Sequence, residues 1–476
     1  MANYTFETIT DAQALGITTA DTVSFTSGTA VLSAVTYGAA GDVLITLGAR
    51  TIDFGAPLIQ TAQSPGLAFA DGSVLYIGDS GANIVALQTI PRPAAAFGGD
   101  GNDIMRLGSN GGLAQGNQGD DNIATLGQAT LYGGQGNDTL SVTELNHTHF
   151  LQGNKGDDLL IGGAADTLLG GQGNDSITGG GILDGNLGND TISGFGQLLG
   201  EGGDDTIQST GVGRATISGG DGNDSLTPSD GGDSVSGDAG ADYITDANSS
   251  GGNYMSGGDG DDTLIGGLGG DTLTGDAGND SINDAGGAGN LIDGGEGANT
   301  ITALGTGSIQ AGSGADVIST AASGGYAITS GAGDDSIIGS LNQADTINGG
   351  DGADTINGNG GADRLSGGAS ADKFIFSTSG ATVTGTVPAI LDWTASDSLS
   401  FGTGAAAAGD FTTTTATDYA SAFAKAAPLM ANGHFDFVAI QVGGDVIVFG
   451  GQNGIVSTAV DLVGRALADV SFHNFI

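Results

Sequence analysis

The chain has 476 residues, 94 of them Gly, and its 54 Asp and Glu against 9 Lys and Arg leave a formal net charge of −45. Such an acidic surface excludes nucleic acid as a partner, since binding a phosphate backbone needs a basic face, and a compact domain carrying it must recruit cations. The absence of Cys excludes disulfides, zinc–thiolate centres and thiol nucleophiles, and no apolar run approaches the ~20 residues of a membrane span. Residues 1–97 read as a small β domain: Asp21–Phe25, Val43–Leu47, Thr51–Phe54 and Ser73–Ile77 cluster β-formers between turn residues. The start, Met1 to Phe6, has neither a basic nor an apolar leader segment, so no cleavable signal peptide is expected. Pro91-Arg92-Pro93 and an Ala run then punctuate the chain.

Residues 98–372 repeat a unit G-G-x-G-x-D-x-U-x, with U a large aliphatic residue. Clean copies start at Gly98, Gly133, Gly219, Gly257 and Gly349, and copies at Gly116, Gly153, Gly185 and Gly275 carry Asn or Asp at the second Gly. Glycine at the first, second and fourth positions is expected to supply positive φ for a tight turn. The turned carbonyls and the sixth-position Asp then offer the hard oxygens that calcium prefers. These are Asp103, Asp121, Asp138, Asp158, Asp175, Asp190, Asp205, Asp224, Asp242, Asp262 and Asp280, then Asp316, Asp335, Asp354 and Asp372. Their spacing of 15 to 20 residues is a whole solenoid coil, so the loops stack on one side at ~4.8 Å. Asn299 takes the place of Asp in the gap and is expected to mark an altered site. On the opposite side the strands keep one core residue each, including Leu131, Leu151, Leu168, Met255 and Leu291. The turns there mostly lack Asp. Asp271 and Asp363, and more weakly Asp166, restore a motif on that side. The pattern predicts many calcium ions, mainly in one column along a rod of about 16 coils, roughly 75 Å long. One coil buries few apolar side chains against the entropy of ordering some 18 residues, so folding should depend on the metal.

Residues 373–476 lose the repeat. Phe374-Ile375-Phe376, Leu399–Phe401, Phe437–Val442 and Val446–Phe449 read as strands, and Asp418–Met430 reads as a helix that Pro428 bends or ends. Trp393 is expected in the core.

The repeats resemble those of the RTX (repeats-in-toxin) family of calcium-dependent proteins, over residues 98–372. The resemblance implies an all-β chain built on a right-handed parallel β-roll or β-helix solenoid. A small N-terminal β domain and a mixed, mostly β C-terminal module flank it. It further implies that the sixth-position Asp and turn carbonyls are calcium ligands. Export by a type I ABC exporter follows, guided by an uncleaved C-terminal signal. Val460–Val470 and the apolar Phe475-Ile476 end look like such a terminus. Many relatives load both sides of the roll, whereas this pattern is one-sided.

No catalytic constellation is visible. All four His (147, 149, 434 and 473) follow the N-terminal domain, and neither H-E-x-x-H nor G-x-S-x-G occurs. Gly78-Asp79-Ser80-Gly81 looks superficially like a serine nucleophile loop but reads as a β-turn. His147-Thr148-His149 has transition-metal donors but sits in an ordinary turn. The sequence therefore points to a secreted, extracellular or cell-surface structural protein rather than an enzyme. Its partner would be itself, in a homo-oligomeric filament or surface-layer (S-layer) lattice. The rival reading is an adhesin that binds cell-surface polysaccharide.

Overall fold

An Asp-x-aliphatic-x segment puts its aliphatic residue and its Asp on the same side of a strand, because side chains alternate. Repeated every coil, this stacks apolar residues into a core column and Asp residues into a row beside it. The computed structural model of the protein has this architecture, and the chain is nearly all β. It describes residues 3–6, 13, 22–25, 33–37, 43–47, 49–53, 67–69, 73–90 and 92–476, apart from 145, 212, 231, 247–249, 321–323, 377–386, 403–409, 432–434 and 453–454. Phe54 and His434 lie outside the described residues. Two compact units divide the chain, Met1–Leu226 and Thr227–Ile476.

In the first unit, strands of successive coils pair in parallel with unbroken register. Ile123 pairs with Leu140, Leu140 with Leu160, Leu160 with Ile177 and Ile177 with Ile192. On the other wall Leu131, Leu151, Leu168, Leu183 and Leu198 form the matching column. These side chains are buried. Parallel coil pairing already begins upstream, where Ile84–Leu87 pairs with Ile104–Leu107 and Val74–Ile77 with Ala94–Phe97. Strands Ser33–Tyr37, Val43–Leu47 and Arg50–Asp53 form a separate antiparallel sheet. Its Val35, Val43, Ile45 and Ile52 join Phe6, Phe69, Leu75, Ile77 and Phe97 in one core.

The second unit repeats the arrangement. Ile244, Leu264, Ile282, Ile301, Ile318, Ile337 and Ile356 stack on one wall. On the other, Met255 and Leu273 continue into Ile292, not Leu291. Leu291 is 52% exposed and Ile292 buried. The turn before it is one residue longer than the repeat formula assumes, and this flips the alternation. Past the repeats, Ser398–Ser400 pairs with Lys373–Ile375, and Ala389–Ile390 with both Arg364–Leu365 and Asp461–Leu462. The helix runs from Tyr419 to Ala431, capped by Asp418 accepting from the Ser421 N–H at 2.8 Å. It continues through Pro428. Its Ala422, Ala426 and Met430 pack on Val438, Ile440, Ile447 and Phe449. Trp393 is fully buried, as its sequence context suggests, with Nε1 donating to Asp469 O at 3.3 Å.

Candidate metal centre

The turn of each repeat is built by its second and fourth positions. Gly99 and Gly101 have φ of 104° and 97°, and the pattern recurs at Gly134 and Gly136 and at Gly258 and Gly260. The copies lacking the second Gly hold Asn117, Asn154, Asn186, Asp238 or Asp276 there, at φ between 72° and 86°. Asn and Asp tolerate this left-handed region better than other side chains. Glu201, at 73°, does so without that advantage. The first-position glycines are different: Gly98, Gly116, Gly133 and Gly257 have no positive φ. The need for Gly at that position is spatial. A Cβ on Gly98 would come closer than 3.0 Å to both Asp103 Oδ2 and the Gly116 carbonyl oxygen of the next coil. The same pair of obstacles, the coil's own Asp and the next coil's carbonyl, recurs at Gly133, Gly153, Gly170, Gly257, Gly275 and Gly349.

Every sixth-position Asp named from the sequence is buried, 1–2% exposed. They are joined head to tail. The N–H of Asp103 donates to Asp121 Oδ1, that of Asp121 to Asp138 Oδ1, and so on to Asp224, at 2.6–2.7 Å. In the second unit the chain runs from Asp242 through Asp262, Asp280, Asn299, Asp316, Asp335 and Asp354 to Asp372, at 2.7–3.0 Å. This uses one carboxylate oxygen per residue. Among the described residues the other, Oδ2, has no hydrogen-bond partner at Asp103, Asp121, Asp138, Asp158, Asp175, Asp190 or Asp205, nor at Asp262, Asp280, Asp316 or Asp354. Burying a charged oxygen without a partner is costly, and a row of them compounds the cost. Burial accordingly pushes the carboxyls up, Asp121 and Asp262 to about 7 and Asp138 to about 8, with neighbouring carboxylates adding to the rise.

The donor set fits calcium. Among the described residues no three His, Cys, Asp or Glu side chains cluster as a metal site. What converges beside Gly98, Gly133, Gly153, Gly170, Gly257, Gly275 and Gly349 is one carboxylate oxygen and a backbone carbonyl from the next coil, all hard oxygens.

The structure adds residues that the repeat formula passes over. In the first unit the row starts at Asn83, in the Gly78–Asn83 turn, whose N–H donates to Asp103 Oδ1 at 2.7 Å. In the second unit the row ends at Asp397, which accepts from Asp372 N–H at 3.1 Å and, through Oδ2, from Thr394 N–H at 2.6 Å. The ladder Asn299 has its Nδ2 donating to Ala311 O at 3.2 Å, so an amide stands where the neighbouring coils present a bare oxygen. Outside the buried row runs an exposed one at the fifth position. There Asn102, Asp120, Asn137, Asp157, Asn174 and Asn189 each accept from the next coil's N–H at 2.8–3.1 Å. The frequent Gly-Asn-Asp and Gly-Asp-Asp triplets were the available signal.

On the opposite side, buried acids occur at Asp233 and Asp345 as well as at Asp166, Asp271 and Asp363. Asp166, Asp233 and Asp345 are satisfied within their own turns: Oδ2 accepts from Gly163 N–H, from Ser229 N–H and Oγ, and from Ser340 N–H and Oγ. At Asp271 and Asp363, Oδ2 has no well-formed hydrogen bond among the described residues. Asp233 and Asp345 lie behind turns that lack the Gly pattern, so only their D-x-U phase could have revealed them. His147 is exposed, whereas His149 is buried with neither ring nitrogen hydrogen-bonded among the described residues; their rings lie 6.2 Å apart.

The family model described as RTX calcium-binding nonapeptide repeat (4 copies) matches residues 115–142, 150–166, 163–181, 209–244, 248–282 and 341–374. The chain carries RTX calcium-binding repeats. The matched segments contain Asp121, Asp138, Asp158, Asp175, Asp224, Asp242, Asp262, Asp280, Asp354 and Asp372 of the ladder, and also Asp271 and Asp363. Calcium binding follows from the RTX repeats themselves. No curated protein matches the chain.

Proposed function

We propose that this is an extracellular structural protein in which the ladder of RTX turns in each unit binds calcium, and that the bound ions fold the solenoid after export. The observation that carries this is the row of buried Asp Oδ2 atoms without hydrogen bonds. In the cation-free state these charges oppose folding, and a divalent ion held between the coil's carboxylate and the next coil's carbonyl removes the opposition. The ligands would be the sixth-position Asp residues from Asp103 to Asp372, with Asp271 and Asp363 opposite. Low cytosolic calcium would leave the chain unfolded for a type I exporter, and millimolar calcium outside would fold it. No described helix is long and apolar enough to cross a membrane.

The structural role, rather than an enzymatic one, is read as self-assembly into a surface layer or filament. Parallel-strand faces that carry exposed apolar side chains support it, such as the paired Ile84 and Ile104, 62% and 40% exposed. Such faces bury area when copies associate. Electron microscopy and circular dichroism in chelator and then in millimolar calcium test both parts. Ordered sheets or filaments are expected with calcium. Isolated folded particles would defeat assembly alone, and a chain equally folded in chelator would defeat the coupling.

A further inference from the structure

In the second unit, three consecutive turns opposite the ladder hold buried polar side chains that the repeat formula does not account for. Strand pairing sets Gly266 beside Asp284, and Ile265 beside Thr245, so Asp246, Gly266 and Asp284 stand in one row at the first position of their turns. Next to it runs a row of sixth-position residues, Asn253, Asp271 and Asn290. The Asn253 N–H donates to Asp271 Oδ1 at 2.9 Å and the Asp271 N–H to Asn290 Oδ1 at 3.0 Å. Apart from Gly266, these side chains are 0–3% exposed.

The outer two turns are closed internally. Asn253 Nδ2 donates to Asp246 Oδ2 at 2.6 Å, and Asn290 Nδ2 to Asp284 Oδ2 at 2.5 Å. Each pair exchanges the repeat's Gly and Asp for Asp and Asn. The carboxylate moves to the first position and an amide N–H takes the cation's role of answering it. The middle turn keeps Gly266 and Asp271, and among the described residues no well-formed hydrogen bond reaches Asp271 Oδ2, the Gly267 N–H acting on the carboxylate only from a poorer geometry. A Cβ built on Gly266 would lie 3.1 Å from Asp271 Oδ2 and 3.4 Å from Asp284 Oδ1. Two carboxylates from two coils therefore face one point, where the main ladder offers one carboxylate and a carbonyl. Asp284 Oδ1 also accepts from the Gly286 N–H, at 3.4 Å, and the buried Tyr326 hydroxyl lies beside the same carboxylate. Two buried like charges this close repel strongly unless a cation lies between them.

We propose that Asp271 and Asp284 form an isolated dicarboxylate site for one calcium-sized divalent cation beside Gly266, bounded on both sides by the Asp246–Asn253 and Asp284–Asn290 amide closures. Asp284 is a ligand that the repeat motif does not encode, since that position is reserved for glycine wherever the motif is intact. The amide closures confine the ion to one coil, so it binds independently of the ladder. This rests on the reading that the repeat turns bind calcium.

The test is anomalous scattering from crystals of the full chain grown in calcium, for the native protein and Asp284→Asn. The substitution is isosteric and leaves an oxygen to accept from Asn290. An ion touching both Asp271 Oδ2 and Asp284 Oδ1 is expected in the native protein. In Asp284→Asn its calcium dissociation constant, followed as peak occupancy over a calcium series, should rise roughly tenfold or more, with the ladder peaks unchanged. Ladder ions present but no ion beside Gly266 would overturn the proposal, as would an ion there that Asp284→Asn leaves at equal occupancy. Absence of every ladder ion would overturn the calcium reading as well.

Discussion

At the residue scale, the first-position glycine shows how one atom separates a turn from a metal site. Gly133 needs no special φ, yet a Cβ there meets Asp138 Oδ2 and the Gly153 carbonyl, whereas a Cβ on Gly213 meets nothing within 4 Å. Gly133→Ala should therefore cost about 1–3 kcal/mol through overpacking and raise the calcium concentration at half-folding, while Gly213→Ala leaves that midpoint unchanged. Circular dichroism titrations of the two variants check this, and equal midpoints would show that the cradle tolerates a methyl. Asn299 gives the converse case. Its Nδ2 already donates to the Ala311 carbonyl, so Asn299→Asp should restore a bare Oδ2 and add one bound calcium, measured by equilibrium dialysis. The sixth position was legible because Asp-x-aliphatic survives even where the glycines change. The spatial reason for the first glycine was not, since sequence shows the same letter whether Gly answers a φ or a collision. Ile292 was misread as Leu291 because two adjacent aliphatics leave the phase open when a turn gains a residue.

At the scale of the element, the ladder acts through its coupling. Each Asp holds the preceding coil's backbone with Oδ1, and burial and neighbouring carboxylates push Asp121, Asp138 and Asp190 toward protonation. The sign for the calcium-free fold follows from linkage. The folded carboxyls at about 6 to 8 lie above the ordinary 3.8, so between those values the folded chain binds more protons than the unfolded one. Stability is then present at low pH and lost as pH rises through 6 to 8. In chelator, β structure should increase as pH falls from 8 to 5. With calcium, protons compete for the same oxygens, so the calcium midpoint should rise over the same interval and ion uptake should release protons into the buffer. A midpoint independent of pH would mean that the carboxylates are not the ligands. Asp262 and Asp271 lie on opposite sides of one coil. Asp262 is bonded to coils both before and after it in an unbroken row of such turns, whereas Asp271 has an amide-closed turn on either side. Asp262→Ala should therefore shift the folding midpoint more than Asp271→Ala, which removes a local ion. The row was legible as a period of 15 to 20 residues. Its ends, Asn83 and Asp397, were not, because Asn replaces Asp at one and Asp392 replaces the first glycine at the other. There Asp392 accepts from the Gly367 and Gly368 N–H groups at 3.1 and 2.8 Å, which closes the row without an ion.

For the whole molecule, the net charge of −45 permits two accounts of a cation requirement. Any salt screens surface charge, and at 1 M the Debye length is about 3 Å. A buried Oδ2 is beyond the reach of that screening, because no bulk solvent touches it. The two accounts separate by ion. Screening predicts that molar sodium chloride folds the chain. The buried ladder predicts that it does not, and that magnesium also fails at millimolar concentration, because a smaller ion that holds its waters tightly and demands octahedral geometry is poorly matched to a dry site of carbonyls and single carboxylates. Calcium alone of the three should produce the β spectrum, with a steep midpoint because neighbouring coils share the ladder. Folding by sodium chloride would reassign the acidity to solubility and leave the Asp rows as hydrogen-bonded turn residues. Folding by magnesium at calcium's midpoint would mean that the cradle is wet and adjustable, and that the bare oxygens are answered by water.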